Sequence, residues 1–569
     1  MRRGRRQDRR FQNWWVEYDL PYGPASALQM SKRLAKRWRS VAARLLPVVP
    51  GVLFAAPWLA PSVGWVSWPA SAVLVGMVRH RPPRSAFARA WLFGVAAHTT
   101  GFYWIAQVLT DFARLSPSIS WPVAVLLNCV QAMQFGLFGM IVAWLARRNY
   151  RCVLHIPVVW TALEFLWPSI FPWRLGQTQL HWAAFLQVAE FTGVYGPGFV
   201  IMWGGATLAF LVPLLVGERG GDSGEAADRL RRCRRSAIAC LFVTGGIVAF
   251  GYWRIGDVKA ELRDERRFRV ALIQPATTLR HRAATCRSLS ARLAAGVDLI
   301  CWPESTIGAY PLASTDFALK SATGRDRRER ADLLVRLGAP VLVGGLSQDQ
   351  STSRYYNSAF LVDSNSKVLG RYHKRQLTPF GEYIPGAERF PWLRRLSPYP
   401  QVFAAGESSQ PLETPDGAKL GVLICYEDTL ADAARRSAAA GAEVLVNLTN
   451  DMWFGRSVAS LQHQQLAALR AIENRRYLIR CSTTGSTAVI SPTGDVVAQA
   501  PLFDAATLTV DVALRDDRTV YCRVGDLFAW LCVGGAAVAV AFGFFRSGRH
   551  NAQTSGQGGA PPQSVPSPR

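Results

Sequence analysis

The sequence predicts a polytopic α-helical membrane protein of about eight spans, with one α/β domain inserted ahead of the last span. Three observations carry that expectation. Half of the 569 residues are hydrophobic and the mean hydropathy is +0.09, too apolar for an ordinary soluble chain. The apolar residues crowd before residue 253 and after residue 527, whereas 268–514 is a mixed, normally charged stretch. Within that stretch apolar strand-like runs alternate with helical patterns.

In chain order, residues 1–41 are a basic, polar extension without a small-residue cleavage site, so the first apolar run reads as an uncleaved anchor. Runs near 43–60, 63–79, 88–109, 121–146, 153–168, 197–216 and 236–253 give a transmembrane part of about seven helices over 42–253, and 527–545 gives the last span. Pro50, Pro57 and Pro69 interrupt the first two runs and Pro61-Ser62 joins them tightly, the mark of a hairpin of tilted or broken helices. The tail over 550–569, rich in Gly, Pro, Ser and Gln, reads as disordered and cytoplasmic.

Basic residues set the orientation. Arg and Lys crowd the N-terminal extension, then Arg79, Arg81 and Arg84, then Arg147, Arg148 and Arg151, then Arg219 to Arg235, while the alternate connections hold little beyond Arg114 and Arg174. The positive-inside rule then puts both termini in the cytoplasm and the 268–514 domain outside, in the periplasm of a Gram-negative cell and at its inner membrane. The net charge of +26 is accounted for by this topology and by anionic lipid. No nucleic-acid module accompanies it, so nucleic acid is not an expected partner. Of ten cysteines, Cys286, Cys301, Cys425, Cys481 and Cys522 lie in or beside the outward domain. No Cys-x-x-Cys pair or Cys/His spacing suggests zinc, so neither a metal nor a cofactor is expected.

In the outward domain, 268–274 and 297–302 read as strands with a helical run between them, and 340–346 and 358–363 follow as further strands. Glu304 falls just past the carboxyl end of the second strand, where α/β sheets place their sites. Lys374 opens a stretch dense in Pro and Gly. The buried-strand run 420–424 ends at Cys425, and a helical pattern follows over about 429–440, so the thiol stands at a strand-to-helix turn. Each residue has a plain alternative: a buried small side chain for Cys425, a helix-terminal charge for Glu304, a solvated amine for Lys374. Together they supply a nucleophile, a base for its proton and a cation for an oxyanion, the set that acyl transfer needs.

The motifs Trp-Pro-Glu-Ser at 302–305, HKRQLTPFGEYIP at 373–385, GVLICYED at 421–428, NLTNDMWFG at 447–455, Gln462-His463 and RAIENRR at 470–476 resemble the nitrilase superfamily. The membrane half adds GFYWI at 101–105, Phe171-Pro172-Trp173 with Gly176 and Gln179, and EFTGVYG at 190–196, and with these the chain resembles the membrane-bound apolipoprotein N-acyltransferase family. It departs from the family at 274–281, which is shorter and lacks a Trp that follows a Q-G-N segment, and after Glu164, where Trp167 stands in place of an Arg.

The resemblance implies an α/β/β/α sandwich for the inserted domain, with Glu304 as general base, Lys374 as oxyanion stabiliser and Cys425 as nucleophile. It implies supporting roles for Glu382, which would orient Lys374, and for Tyr426 and Glu427. The implied reaction is ping-pong: Cys425 takes an acyl chain from the sn-1 ester of a phospholipid, phosphatidylethanolamine by resemblance, and passes it to the N-terminal amine of a diacylglyceryl-modified apolipoprotein. Trp453, Phe454 and Tyr383 lie on outward loops and are expected to guide acyl chains at the interface. A monomer is expected. Two other readings stand beside this one: a tethered amidase or lipid hydrolase that passes the acyl group to water, and a transporter or receptor, for which Glu164 and His98 are the intramembrane candidates.

Overall fold

The structure, a computed structural model, describes residues 45–148, 152–215, 223–293, 296–311, 337–349, 351, 354–392 and 403–555. The basic extension over 1–41 and the tail beyond Ser555 lie outside the described residues. Helices come first. α1 (Val48–Leu59) and α2 (Ser67–Val78) are joined by a 3-10 turn over Pro61–Val66, the hairpin that the prolines announce. A proline at the start of a helical turn sacrifices no hydrogen bond, because that N–H has no partner within the helix.

Where one run was expected over 88–109 there are two helices, α3 (Pro83–Gly101) and α4 (Trp104–Asp111), because Phe102 leaves the helical region (φ −117°, ψ 32°). The run over 121–146 is one helical stretch, Pro117–Ala146, in which α5 (Pro117–Gln131) and α6 (Met133–Ala146) meet at Ala132, itself still in the helical region (φ −69°, ψ −13°). α7 (His155–Leu166) leads into an irregular stretch holding two single-turn helices, α8 (Ala183–Leu186) and α9 (Ala189–Thr192), before α10 (Tyr195–Leu215). α11 (Ser223–Asp264) runs for 42 residues, well beyond the expected 236–253, because its basic first third stays helical and no proline interrupts it. Five described helical stretches are long and apolar enough to cross a membrane: Pro61–Val78, Pro117–Ala146, Tyr195–Leu215, Ala227–Asp264 and Leu527–Phe545. Val48–Leu59 and His155–Leu166 are shorter apolar helices. Phe54, Phe93, Phe135, Phe138 and Trp160 fill the middle of this half with edge-to-face and tilted ring contacts.

The inserted domain is built on two sheets. Among the described residues the first has seven strands, in the order β13-β1-β2-β4-β5-β6, with β3 also beside β4. These are β1 (Arg267–Gln274), β2 (Leu299–Trp302), β3 (Ala309–Pro311), β4 (Val341–Asp349), β5 (Arg354–Val362), β6 (Val368–His373) and β13 (Ala506–Ala513). The second runs β12-β11-β10-β9-β8-β7. Its strands are β7 (Leu412–Glu413), β8 (Lys419–Ile424), β9 (Val444–Thr449), β10 (Leu478–Ser482), β11 (Ala488–Ile490) and β12 (Val496–Gln499).

Strict alternation divides each strand between two layers. Val270, Leu272, Leu299, Cys301 and Leu361 of the first sheet meet Val422, Ile424, Val446 and Ile479 of the second in a shared core. Their neighbours Ala271, Ile273, Ile300 and Trp302 turn outward under α12 (Leu279–Ser290). Leu423, Leu445 and Leu478 turn outward under α13 (Ala431–Ala439) and α14 (Ala459–Asn474). The result is the α/β/β/α sandwich that the resemblance implies. After α15 (Val520–Val524) the described residues close with α16 (Leu527–Ser555), which runs past the expected limit of 545 and into the stretch read as tail.

Candidate active site

The topology brings three strand ends to one rim. β2 runs parallel to β4, and β4, β5 and β6 are successively antiparallel, so β6 points the same way as β2. Glu304 follows β2 and Lys374 follows β6, and both therefore leave the first sheet at the same edge. Cys425 follows β8 of the facing sheet.

All three sit in tight backbone. Cys425 has φ +51°, and Ser305 beside Glu304 and Phe380 in the Lys374 loop have φ +54° and +63°. Left-handed conformations at non-glycine residues are costly and collect where a side chain must be aimed. Gly344 of β4 shows how close the packing is, since a Cβ there would fall 2.5 Å from the Glu304 Cα.

The side chains form one dry network. Glu304 and Lys374 are 5% and 1% exposed. The Lys374 ammonium donates to Glu382 Oε2 at 2.8 Å and to Thr378 Oγ1 at 3.1 Å. Glu382 Oε2 also accepts from the Thr378 amide at 2.8 Å. Asn357 Nδ2 donates at 2.7 Å to both Glu304 Oε1 and Glu382 Oε1, so one amide spaces the two carboxylates. Glu304 Oε2 has no conventional partner among the described residues, and the carboxylate interacts with the Cys425 thiol.

Electrostatics follows from that geometry. Burial pushes the Glu304 carboxyl up, against the pull of the Lys374 charge, and Glu382 pushes it up further. Burial and the Glu304 charge push the Cys425 thiol up, while Lys374 draws it down. Burial would lower Lys374, but Glu382, Cys425 and Glu304 together hold it above the usual lysine range. Glu382 goes the other way: burial raises it, and Lys374 with three hydrogen bonds brings it below the usual carboxylate range. The site therefore sets a neutral thiol beside a carboxyl group whose hold on a proton burial has strengthened, with the Lys374 ammonium fixed close by.

Glu427 is a splint. Its carboxylate accepts from the amides of Arg375 (2.8 Å), Gln376 (3.0 Å) and Ile424 (2.8 Å) and from the Tyr372 hydroxyl (2.9 Å). It thus ties the residue after Lys374 to the residue before Cys425. Tyr426 points the other way and donates to the Ile170 carbonyl of the helical half at 2.6 Å.

The expected substrate-guiding residues are placed differently from one another. Tyr383 is 42% exposed. Phe454 is half-buried against Trp104, and Trp453 stacks at a tilt on Phe112, so both rings reach the helical half at α4. Glu164, a candidate for a transport pathway, instead accepts the Leu175 amide at 2.7 Å and holds a turn in place.

Sequence reasoning did not find Asn357, which sits beside Ser358 where β5 passes from its more exposed start into its buried half. Nor did it find the buried cluster behind Cys425. There His463 lies between Asp428 (2.8 Å) and Asp451 (3.0 Å), and Arg480 pairs with Asp428 at 2.9 Å. Burial would lower His463, but the two aspartates push it up to about 9, so it is an imidazolium at neutral pH. The signal for this cluster was the Gln462-His463 pair, mute about which strand ends it would meet.

Two family models match the chain: the apolipoprotein N-acyltransferase N-terminal domain over residues 50–207 and the carbon-nitrogen hydrolase domain over 269–520. An apolipoprotein N-acyltransferase of Geobacter metallireducens is 32% identical over 89% of this chain and 96% of its own length. One from Azotobacter vinelandii is 29% identical over 84% and 91%. An amidase from Nesterenkonia sp. of known structure is 20% identical, with a TM-score of 0.33, over 46% of this chain and 94% of its own. Full-length similarity and the five long apolar helices point to a membrane protein, and the chain belongs to the apolipoprotein N-acyltransferase family.

Proposed function

We propose that this chain completes lipoprotein maturation by moving a fatty acyl group from a membrane phospholipid to the N-terminal amine of a diacylglyceryl-cysteine. The observation that carries the reading is the juxtaposition of the half-buried Cys425 with the buried Glu304 and Lys374 in a chain that also holds long apolar helices. Glu304 takes the thiol proton as sulfur attacks the sn-1 ester carbonyl, and the Lys374 ammonium faces the oxyanion. Collapse breaks the ester C–O bond, the departing alkoxide oxygen takes that proton from Glu304 to become the lysophospholipid hydroxyl, and a thioester remains on Cys425. The lipoprotein α-amine then attacks, Glu304 accepts its proton, and the regenerated thiolate is reprotonated. Atoms balance over the two half-reactions, and no cofactor is required.

Phosphatidylethanolamine is the proposed donor and a monomer the active species, since one chain holds every group the reaction uses. The bias of Arg and Lys toward alternate connections supports a bacterial inner-membrane location, with cytoplasmic termini and a periplasmic catalytic domain. The half-buried rings of Trp453 and Phe454 at the junction, with exposed Tyr383 nearby in sequence to the Lys374 loop, fit a path for acyl chains.

Intact mass measurement of the detergent-purified chain, after incubation with phosphatidylethanolamine of defined acyl composition, tests the reading. The expected result is a hydroxylamine-labile gain of one acyl group, absent in Cys425→Ala and discharged onto a diacylated lipopeptide. An adduct discharged only to water makes the enzyme a lipid hydrolase. No adduct with any phospholipid rejects the donor class.

A further inference from the structure

Arg282 is a buried cation that the reaction as described does not use. It lies on α12, is 2% exposed, and has no carboxylate within ion-pair distance among the described residues. Its Nη1 donates to the backbone carbonyls of Glu304 (3.1 Å) and Ser305 (2.9 Å), and its Nη2 meets the Met452 sulfur at 3.2 Å. Its Nε has no partner among the described residues. Burying a guanidinium against carbonyls and a thioether, without a neutralising carboxylate, is unfavourable for folding alone. Such a group is kept where its fork and its charge act on something nearby.

What lies nearby is the base. The turn at Glu304 is pinned on one side by Gly344, whose carbonyl accepts from the amides of Thr306 (2.8 Å) and Ile307 (3.1 Å). Arg282 grips the opposite side, at the two carbonyls bracketing the left-handed Ser305. We propose that Arg282 is a positioning residue for the general base, clamping the Glu304–Ser305 turn so that the carboxylate faces the Cys425 thiol, and tying that turn to the Met452 loop. The inference rests on Glu304 acting as base.

The clamp has an electrostatic consequence. The charged or titratable groups around Glu304 are Lys374, Glu382 and Cys425 from the facing strand ends, and Arg282 from the helix behind. Lys374, paired with Glu382 at 2.8 Å, exerts the larger pull on Glu304. Arg282 is a second positive charge on the opposite side of Glu304, and it too favours the ionised carboxylate.

Peptide-resolved iodoacetamide alkylation of Cys425 in the full-length, detergent-purified chain reads base function without reference to any acyl donor. Across pH 4 to 9, Arg282→Gln is expected to slow alkylation roughly 10-fold at pH 6 and to move the acid-side midpoint up by about half to one unit, as loss of a nearby cation does. Arg282→Lys keeps the charge but not the fork, and is expected to lose rate with the midpoint in place. A Gln profile that superposes on the wild type overturns the proposal. Equal rate losses in both variants, with neither midpoint moved, reduce Arg282 to a structural role and overturn it as well. If Arg282→Gln does not fold, an Arg282→Lys profile matching the wild type in rate and midpoint overturns the clamp. Glu304→Gln, run alongside, reports on the base itself: unchanged reactivity there sinks the base role, whatever Arg282 does.

Discussion

Glu304 and Glu382 share one asparagine and stand within reach of one lysine, yet burial and pairing drive them in opposite directions. The folded state holds the Glu304 proton more tightly than the unfolded chain, so stability from this group falls as pH rises from about 4.3 through the raised folded value. Above that value the ionised carboxylate is a liability, and Glu304→Gln is expected to raise the midpoint of thermal unfolding there by about 2 °C. The same change should cut Cys425 alkylation by at least about 100-fold, the usual scale for losing a general base.

Glu382 is the reverse case. Its lowered folded value makes its contribution full above about 4.3 and lost only as pH falls through that lower value. Glu382→Gln leaves a buried ammonium without its closest partner and should cost about 3 kcal/mol, read as a fall in the same midpoint. Two neighbouring Glu→Gln changes with opposite signs in one melting experiment would separate strain from pairing. In the wild type, the acid limb of single-turnover acylation should lie above about 4.3, because the base that must be ionised is the raised one.

At the scale of elements, the proposed chemistry depends on strand ends from two sheets holding register with each other, and Glu427 ties those ends together. It joins the amides of Arg375 and Gln376 to that of Ile424, and none of its partners is substrate. Glu427→Gln turns one acceptor oxygen into a donor facing amides, so kcat for acylation should fall by about 10- to 100-fold while KM for the phospholipid stays within about twofold. A change confined to KM would place Glu427 at the substrate instead.

This element also shows how far the sequence could be read. Trp302-Pro303-Glu304 and Cys425-Tyr426-Glu427 stand at the ends of short apolar runs, and a run of that kind ending in chemistry is visible without coordinates. What Glu427 reaches is not visible, because its partners lie some fifty residues back along the chain on another sheet. The same holds for Asn357 and Arg282, whose meaning lies wholly in a neighbour far off in sequence. β13, beside β1, is another such case: it returns from the far end of the domain to close the first sheet. The split at Phe102 was hidden because hydropathy is continuous across it.

For the whole molecule, α14 decides whether the sandwich is a passenger on the helices or part of their fold. Of its 16 residues 14 are buried, facing the second sheet with Ala467, Ala468 and Ala471 and the helical core with Leu469 and Ile472. Gln462 accepts from the Trp104 indole at 2.8 Å and donates to the Gly101 carbonyl at 2.9 Å, and Gln177 donates to the Leu466 carbonyl at 3.2 Å. In its last turn Glu473 accepts the Val194 amide at 3.1 Å, and just past its end Arg475 pairs with Glu190 at 2.8 Å. A fragment spanning 266–519 would expose Leu469 and Ile472, at about 2 kcal/mol each, and would leave the buried Arg475 charge unpaired. Since a domain's entire margin is only about 5 to 15 kcal/mol, losses of this kind over a whole helix face remove most of it. Expressed alone, the fragment should therefore aggregate or require detergent, and its Cys425 should lose the pH-dependent alkylation of the full chain. Size-exclusion chromatography with peptide-resolved alkylation checks both, and a monodisperse, detergent-free fragment with wild-type Cys425 reactivity would mean that the helices only tether a self-sufficient catalyst.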